Sequence, residues 1–161
     1  MLKWIWLALV VIVIDQITKY IATDALLLQQ PKEVFSWFSL HLVYNTGAAF
    51  SFLADMGGWQ RPILASISAI VSLVIIIWML RLPTRLRLLP LALTFILGGA
   101  LGNFYDRLLE GRVVDFISLH YLEFYFPAFN LADTCITIGA IFLFADILFG
   151  KSKRVSSLST G

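Results

Sequence analysis

Long apolar stretches separated by short polar segments dominate this chain. Four stretches approach or reach the roughly 20 residues that a helix needs to cross a bilayer, and they cover residues 4–21, 62–80, 88–104 and 130–149. The basic turn at 81–87 separates the second stretch from the third. The pattern predicts an all-α membrane protein with four transmembrane helices, which form a single domain over residues 1–154.

The first stretch begins like a secretory signal peptide, with Lys3 followed by an apolar run. Asp15 and Lys19 interrupt its continuation, and no small-residue cleavage site follows closely, so we predict a retained first span. These two residues are four apart, so they share one helix face and can pair inside the bundle. A purely structural role and a direct role at the site are both open at this point.

Two segments outside the spans, 23–61 and 105–129, form loops on one side of the membrane in this interpretation. Residues 34–44 are rich in aromatic and β-branched residues with partial alternation, which predicts a small extramembrane β-sheet. The other segment is interpreted as a loop, and residues 155–161 as a disordered tail. Five aromatic residues of the first loop either form an interfacial belt or line a plain anchoring loop: Trp37, Phe38, Phe50, Phe52 and Trp59.

Basic residues set the orientation, because they accumulate on the cytoplasmic side of membrane proteins. The two termini and the turn after the second span hold seven of them, against four in the two other loops. Both termini are therefore expected in the cytoplasm and both loops on the outer face. The seven are Lys3, Arg81, Arg85, Arg87, Lys151, Lys153 and Arg154, and the four are Lys32, Arg61, Arg107 and Arg112.

The amino-acid composition excludes several classes of protein and of binding partner. Hydrophobic residues make up 60% of the chain and charged residues 14%, with a net charge of +2, so neither a soluble domain nor a nucleic-acid partner is expected. Cys135 is the single cysteine, which rules out an internal disulfide. With His41 and His120 as the two histidines, no zinc-ligand spacing exists, and we expect no metal and no cofactor.

Two carboxylates stand beside strongly apolar sequence on the outer side. Asp115 lies in Val-Val-Asp-Phe and Asp133 in Phe-Asn-Leu-Ala-Asp at the start of the fourth span. An ionisable group at a lipid boundary is costly and marks a functional site. Two close carboxylates share one proton, so one can act as a base and the other as an acid, as in aspartic proteolysis.

Other chemistries fit less well. A proton-coupled transporter could use the same carboxylates, but it would place ionisable residues near mid-membrane on several helices, whereas here they crowd one surface with Arg107. Soluble aspartic proteases carry Asp-Thr-Gly or Asp-Ser-Gly, which Asp133-Thr-Cys does not match. Cys135 has no obvious base beside it, and a buried apolar cysteine is the commoner case.

Five motifs, in order, resemble the bacterial lipoprotein signal peptidases, also called type II signal peptidases. Each motif is weak alone, but together they cover nearly the whole chain on four spans of suitable length. They are Asp-Gln-Ile-Thr-Lys at 15–19, Asn-Thr-Gly-Ala-Ala-Phe at 45–50, Gly-Asn-Phe-Tyr-Asp-Arg at 102–107, Val-Val-Asp-Phe at 113–116 and Phe-Asn-Leu-Ala-Asp at 129–133.

This resemblance implies an aspartyl endopeptidase of the bacterial cytoplasmic (inner) membrane, with Asp115 and Asp133 as its catalytic dyad. Its substrate would be a diacylglyceryl prolipoprotein, cut on the amino side of the lipidated cysteine, and globomycin would inhibit it. We expect a monomer surrounded by membrane lipid, with the outer loops acting as a substrate lid. The resemblance assigns site-lining roles to Asn45, Asn103, Arg107 and Asn130, and supporting roles to Asp15, Lys19 and Asp106.

Overall fold

The computed structural model describes residues 2–47, 58–83 and 86–156, with side chains described between residues 3 and 149 of these ranges. Within them the chain forms four long helices, each of which contains all or nearly all of one predicted span and extends beyond it at one end or both. Phe50 and Phe52 lie outside the described residues. The helices are α1 (Leu2–Ala25), α2 (Gln60–Arg81), α3 (Leu88–Leu109) and α4 (Leu131–Ser156).

An antiparallel four-stranded sheet lies between the helices in sequence, in the order β1-β2-β3-β4. The predicted sheet in the first loop is confirmed as a pair of strands. The segment interpreted as a second loop supplies the other two strands, and β3 pairs with β2 through partners such as Val43 and Asp115. The strands are β1 (Lys32–Phe35), β2 (Phe38–Asn45), β3 (Val113–Tyr121) and β4 (Phe124–Tyr125).

Helix α3 is the centre of the bundle and packs against each of the other three helices. Small residues allow this close packing. A Cβ atom on Gly98 would lie 2.7 Å from the Val11 side chain on α1, and one on Gly99 would collide with the backbone carbonyl oxygen of Ala132 on α4. The small residues of α3 therefore allow close helix approach, which is a common packing mode of membrane helices.

Large apolar side chains cover the outside of the bundle, in contrast to soluble proteins. On α1, α2 and α4 respectively, Ile14, Ile70 and Phe144 each expose about half or more of their surface. All four helices are long and apolar enough to span a membrane. A multi-pass membrane protein with a small extramembrane sheet is confirmed as the fold class.

Candidate active site

The sheet brings the second outer segment back onto the start of α4. The backbone N–H groups of Phe116 and Ile117 on β3 donate to the carbonyl oxygen of Phe129, and the N–H of Phe129 donates to the carbonyl of Ile117. Because this bridge lies directly before α4, it holds β3 against the first turn of that helix. Asp115 and Asp133, predicted as a pair from separate motifs, are brought into one cluster.

Asp115 lies on β3 and is 1% exposed. Its Oδ2 accepts a hydrogen bond from Asn45 Nδ2 at 2.9 Å, and its Oδ1 accepts one from Asn130 Nδ2 at 2.7 Å. Burial raises the pKa of Asp115 to about 6; the amides of Asn45 and Asn130 oppose this shift, and the negative charge of Asp133 adds to it. A proton is therefore held more readily here than on an exposed aspartate.

Asp133 lies in the first turn of α4, where it forms a capping box with Asn130. The backbone N–H of Asp133 donates to Asn130 Oδ1 at 3.0 Å, and the backbone N–H of Asn130 donates to Asp133 Oδ2 at 3.2 Å. Two donors that would otherwise lack partners at the helix start are satisfied in this way. The Asp133 carboxylate accepts a second hydrogen bond, on Oδ1, from Asn103 Nδ2 at 2.8 Å.

Asn130 connects the two carboxylates. Its side chain is fully buried, and its Nδ2 reaches Asp115 while its Oδ1 accepts from the backbone of Asp133. The same Nδ2 also lies 3.2 Å from Asn103 Oδ1 and 3.3 Å from the carbonyl oxygen of Val114. One amide therefore fixes the position of both acids relative to each other.

A buried ion cluster lies behind the carboxylates, inside the bundle. Lys19 Nζ contacts Asp15 Oδ2 at 2.8 Å and Asp106 Oδ2 at 2.7 Å, and it donates to Asn103 Oδ1 at 3.0 Å. The predicted pairing of Asp15 with Lys19 is confirmed. Asp15 also caps α4, since its Oδ1 accepts from the backbone N–H of Ala132 at 2.9 Å.

Gln16 also belongs to this cluster, a role that was not predicted from the sequence. Its Nε2 donates to Asp106 Oδ1 at 2.8 Å and lies 3.2 Å from Asp15 Oδ2. Its position directly after Asp15 in the first motif was the available signal. Because it donates to two carboxylates, it contributes to holding α1 against α3.

Arg107 extends from the last turns of α3 towards the site. Its side chain is half-buried, and its Nη1 donates to the carbonyl oxygen of Asn103 at 3.2 Å. The guanidinium interacts electrostatically with all three nearby acids, Asp133 first, then Asp106 and Asp115. It therefore supplies positive charge on the side of the site that opens to the cavity described next.

Two cavities meet at Asp133. The larger, of about 450 Å³, lies between α2, α3, α4 and the segment 126–129, and it includes Asn45, Asn103 and Arg107. The smaller, of about 320 Å³, lies between β3 and α4 and is almost entirely apolar. Phe126 and Phe129 border both cavities.

The two carboxylates differ in access to these cavities. Asp133 borders both of them, whereas Asp115 is buried behind Asn45 and Asn130 and is absent from both linings as the structure describes them. Within the described ranges, no group of three or more His, Cys, Asp or Glu side chains is arranged to hold a metal ion. Cys135 is buried in α4, as expected for an apolar cysteine.

The fold and the site define an integral membrane protein with a paired-carboxylate centre at one end of a four-helix bundle. Comparison with known proteins identifies its family. A family model described as signal peptidase (SPase) II matches residues 7–149. This chain belongs to the signal peptidase II family, so it is a peptidase, and the hydrolase interpretation is favoured over the transporter.

Individual relatives and solved structures agree with this assignment. A lipoprotein signal peptidase of Teredinibacter turnerae is 53% identical over 149 residues, which cover 92% of this chain and 89% of that protein. One from Pseudomonas putida is 51% identical over 155 residues, with 95% and 90% covered. A bacterial membrane enzyme structure obtained by the in meso method at 2.3 Å superposes with a TM-score of 0.83 at 30% identity, covering 96% of this chain and 92% of that one.

Proposed function

We propose that this chain is an intramembrane aspartyl endopeptidase that removes the signal peptide from diacylglyceryl-modified prolipoproteins, cutting on the amino side of the lipidated cysteine. Family membership and the names of the relatives support the reaction and the substrate class. The observation that carries the catalytic assignment is the bridge through Asn130, which holds Asp115 and Asp133 together beside an open cavity.

In this proposal Asp133 is the general base and Asp115 the general acid. Asp133 borders the cavities, so water can reach it, and it stands in the first turn of α4 with N–H donors on both oxygens. Asp115 is buried, and because its pKa is raised to about 6 it holds the proton it must donate more readily than an ordinary aspartate does. The environment of Asp133 suits a base and that of Asp115 suits an acid, and such a difference is what assigns separate roles to two paired carboxyl groups.

The reaction then balances with one proton shared between the pair. Asp133 takes a proton from water as the oxygen attacks the scissile carbonyl carbon, while Asp115 gives its proton to the carbonyl oxygen. The resulting gem-diol collapses, the C–N bond breaks, and the proton now on Asp133 passes to the leaving amine. Asp115 recovers its proton from the gem-diol hydroxyl, so both acids return to their starting states.

The cavities suit a substrate that is largely membrane-embedded. Leu64, Ile67 and Val71 from α2 and Ile136 from α4 give the larger cavity apolar walls, and Arg107 and Asn103 provide polar groups near Asp133. An apolar signal peptide and acyl chains can contact such walls while a peptide bond lies against the polar end. Asn45, Asn103, Asn130 and Arg107 are proposed to line this end, and Asp15, Lys19 and Asp106 to support it.

Topology and partners follow from the same arrangement. Antiparallel neighbours in a four-helix bundle place both termini on one side and the site on the other, which agrees with the basic residues. We therefore propose a single domain over 1–154 in the bacterial cytoplasmic (inner) membrane, with cytoplasmic termini and an outer-face site. The enzyme acts as a monomer, and globomycin-type cyclic peptides inhibit it by occupying the larger cavity.

A cleavage assay tests the function directly. Purified protein in detergent micelles is incubated with a diacylglyceryl prolipoprotein or with its non-lipidated form, and mass spectrometry identifies the products. We expect release of the signal peptide from the lipidated form alone, with the cut before the modified cysteine, and inhibition by globomycin. Equal cleavage of both forms, or a cut elsewhere, would contradict the proposed substrate.

A further inference from the structure

We propose that Lys19 is a positioning residue that fixes the orientation of the Asn103 amide and thereby decides which member of the Asp115–Asp133 pair holds the shared proton. This inference depends on the proposed function, because it concerns the dyad of that reaction. Lys19 is absent from the linings of the described cavities, so its effect passes through Asn103 rather than through substrate.

The Asn103 amide lies between Lys19 and Asp133. Asn103 is 4% exposed, and its side chain has an acceptor on one side and a donor on the other. Lys19 Nζ lies 3.0 Å from Asn103 Oδ1, and Asn130 Nδ2 lies 3.2 Å from the same oxygen. A lysine ammonium can only donate. The oxygen of Asn103 must therefore face Lys19, which turns its NH₂ group towards Asp133.

The consequence falls on Asp133. With the amide in this orientation, Asn103 Nδ2 donates to Asp133 Oδ1 at 2.8 Å, while the backbone N–H of Asn130 donates to Oδ2. Donors on both oxygens favour an ionised carboxylate. The reversed amide would point its oxygen at Asp133 and would require a proton between them. Lys19 thus keeps Asp133 available as the base and leaves the proton to Asp115.

Lys19 is itself held in place. It is 3% exposed, and its other donors are directed to Asp15 and Asp106. Those carboxylates are anchored in turn, Asp15 by the backbone N–H of Ala132 and Asp106 by Gln16. The charged groups around the amide come from every element packed there: Asp15 on α1, Asp106 and Arg107 on α3, Asp115 on β3 and Asp133 on α4.

The test compares pH profiles of kcat/KM for three variants. In Lys19→Gln, the new amide can present either its oxygen or its NH₂ group, so the donor-only constraint on Asn103 is lost and the longer contact from Asn130 Nδ2 alone remains. We expect kcat/KM to fall about tenfold and the acidic limb of the profile to shift, because the hydrogen bond from Asn103 Nδ2 to Asp133 Oδ1 is no longer secured. Lys19→Arg keeps a donor-only group and should retain the wild-type limb.

The double variant Lys19→Gln with Asp106→Asn separates hydrogen-bond polarity from charge. It removes one positive and one negative charge, so the net charge of the cluster is restored, yet the constraint on Asn103 stays lost. We expect its acidic limb to remain shifted. A return to the wild-type limb would show that only the charge matters, and a lower rate with an unmoved limb in Lys19→Gln would show a structural role; either result overturns the inference.

A second measurement does not require any Lys19 variant to fold. The infrared carbonyl band of a protonated carboxyl group is recorded for the resting enzyme, and it should disappear in Asp115→Asn and persist in Asp133→Asn. The reverse pattern would overturn the inference. Failure of the proposed function is distinguishable, because in that case the wild-type enzyme itself would not cleave a lipidated prolipoprotein.

Discussion

Removing the Asn45 amide should make Asp115 hold its proton more tightly. Asn45 Nδ2 donates to Asp115 Oδ2 at 2.9 Å, and this hydrogen bond opposes the rise in the pKa of Asp115 that burial causes. In Asn45→Ala, burial and the charge of Asp133 continue to raise the pKa of Asp115, but one of the two amides that lower it is gone. The pKa of Asp115 should therefore rise further above its value of about 6.

The size of the shift follows from the energy of the lost interaction. A hydrogen bond to a charged group contributes about 1.5–3 kcal/mol, and one pKa unit corresponds to about 1.4 kcal/mol. Loss of the whole interaction would raise the pKa of Asp115 by about one to two units. Water that enters from the cavity beside Asn45 should replace part of the lost hydrogen bond. We expect a net rise of about one unit.

The assay is the pH dependence of kcat/KM, which reports the free enzyme. In the proposed mechanism Asp115 is the acid and needs its proton, so activity should be lost as the pH rises past the pKa of Asp115, and a higher pKa should move this alkaline limb upward. In Asn45→Ala the limb should move from near pH 6 to about pH 7, together with a lower maximal rate. Ser39→Ala is the matched control on β2, since it removes the hydrogen bond to His120 and no contact to a carboxylate.

Two results would refute this reasoning. The alkaline limb of Asn45→Ala could move downward, which would mean that Asn45 favours the protonated form of Asp115. It could also stay in place while the rate falls, which would limit Asn45 to positioning the substrate. A shift of equal size in Ser39→Ala would show that the effect comes from the sheet as a whole.

Three further predictions concern packing, charge and metal dependence. Gly99→Ala should lower the free energy of unfolding by about 1–3 kcal/mol, because its Cβ collides with the Ala132 carbonyl; an unchanged thermal midpoint in detergent would contradict the packing. Arg107→Lys should reduce kcat/KM about tenfold without lowering that midpoint, since a lysine cannot reproduce the planar guanidinium, and wild-type kinetics would argue against it. EDTA should leave cleavage unchanged, and inhibition reversed by added metal would revive a metal mechanism.

Hydrophobic patterning was enough to predict the four spans, because membrane-crossing helices have a length requirement that the sequence displays directly. The paired acids were also predictable, because charged residues beside apolar runs are easily recognised. The contact between Asp15 and Lys19 was predictable because residues four apart lie on the same face of a helix. Strand β3 was missed. It pairs with β2 across a long separation in sequence, and nothing local to residues 113–121 indicates that partner.

The finer organisation of the site depends on the same kind of distant contact. Asn130 was selected through a motif, but its bridge between two acids requires β3 and α4 to be adjacent. Gln16 and the second carboxylate partner of Lys19, Asp106, become visible only when α1 and α3 pack together. Sequence patterns therefore selected the candidate side chains of the site, while the tertiary contacts determine which of these side chains donates a hydrogen bond to which.

The most direct test of the central claim is single-turnover cleavage of a diacylglyceryl prolipoprotein by Asp115→Asn and Asp133→Asn. Asp24→Asn is the control, because Asp24 is an exposed carboxylate near the C-terminal end of α1. If the two acids share the catalytic work, each dyad variant should cleave about 10³-fold more slowly than the wild type while staying folded, and the control should be unaffected. Near wild-type cleavage by either dyad variant would contradict the account.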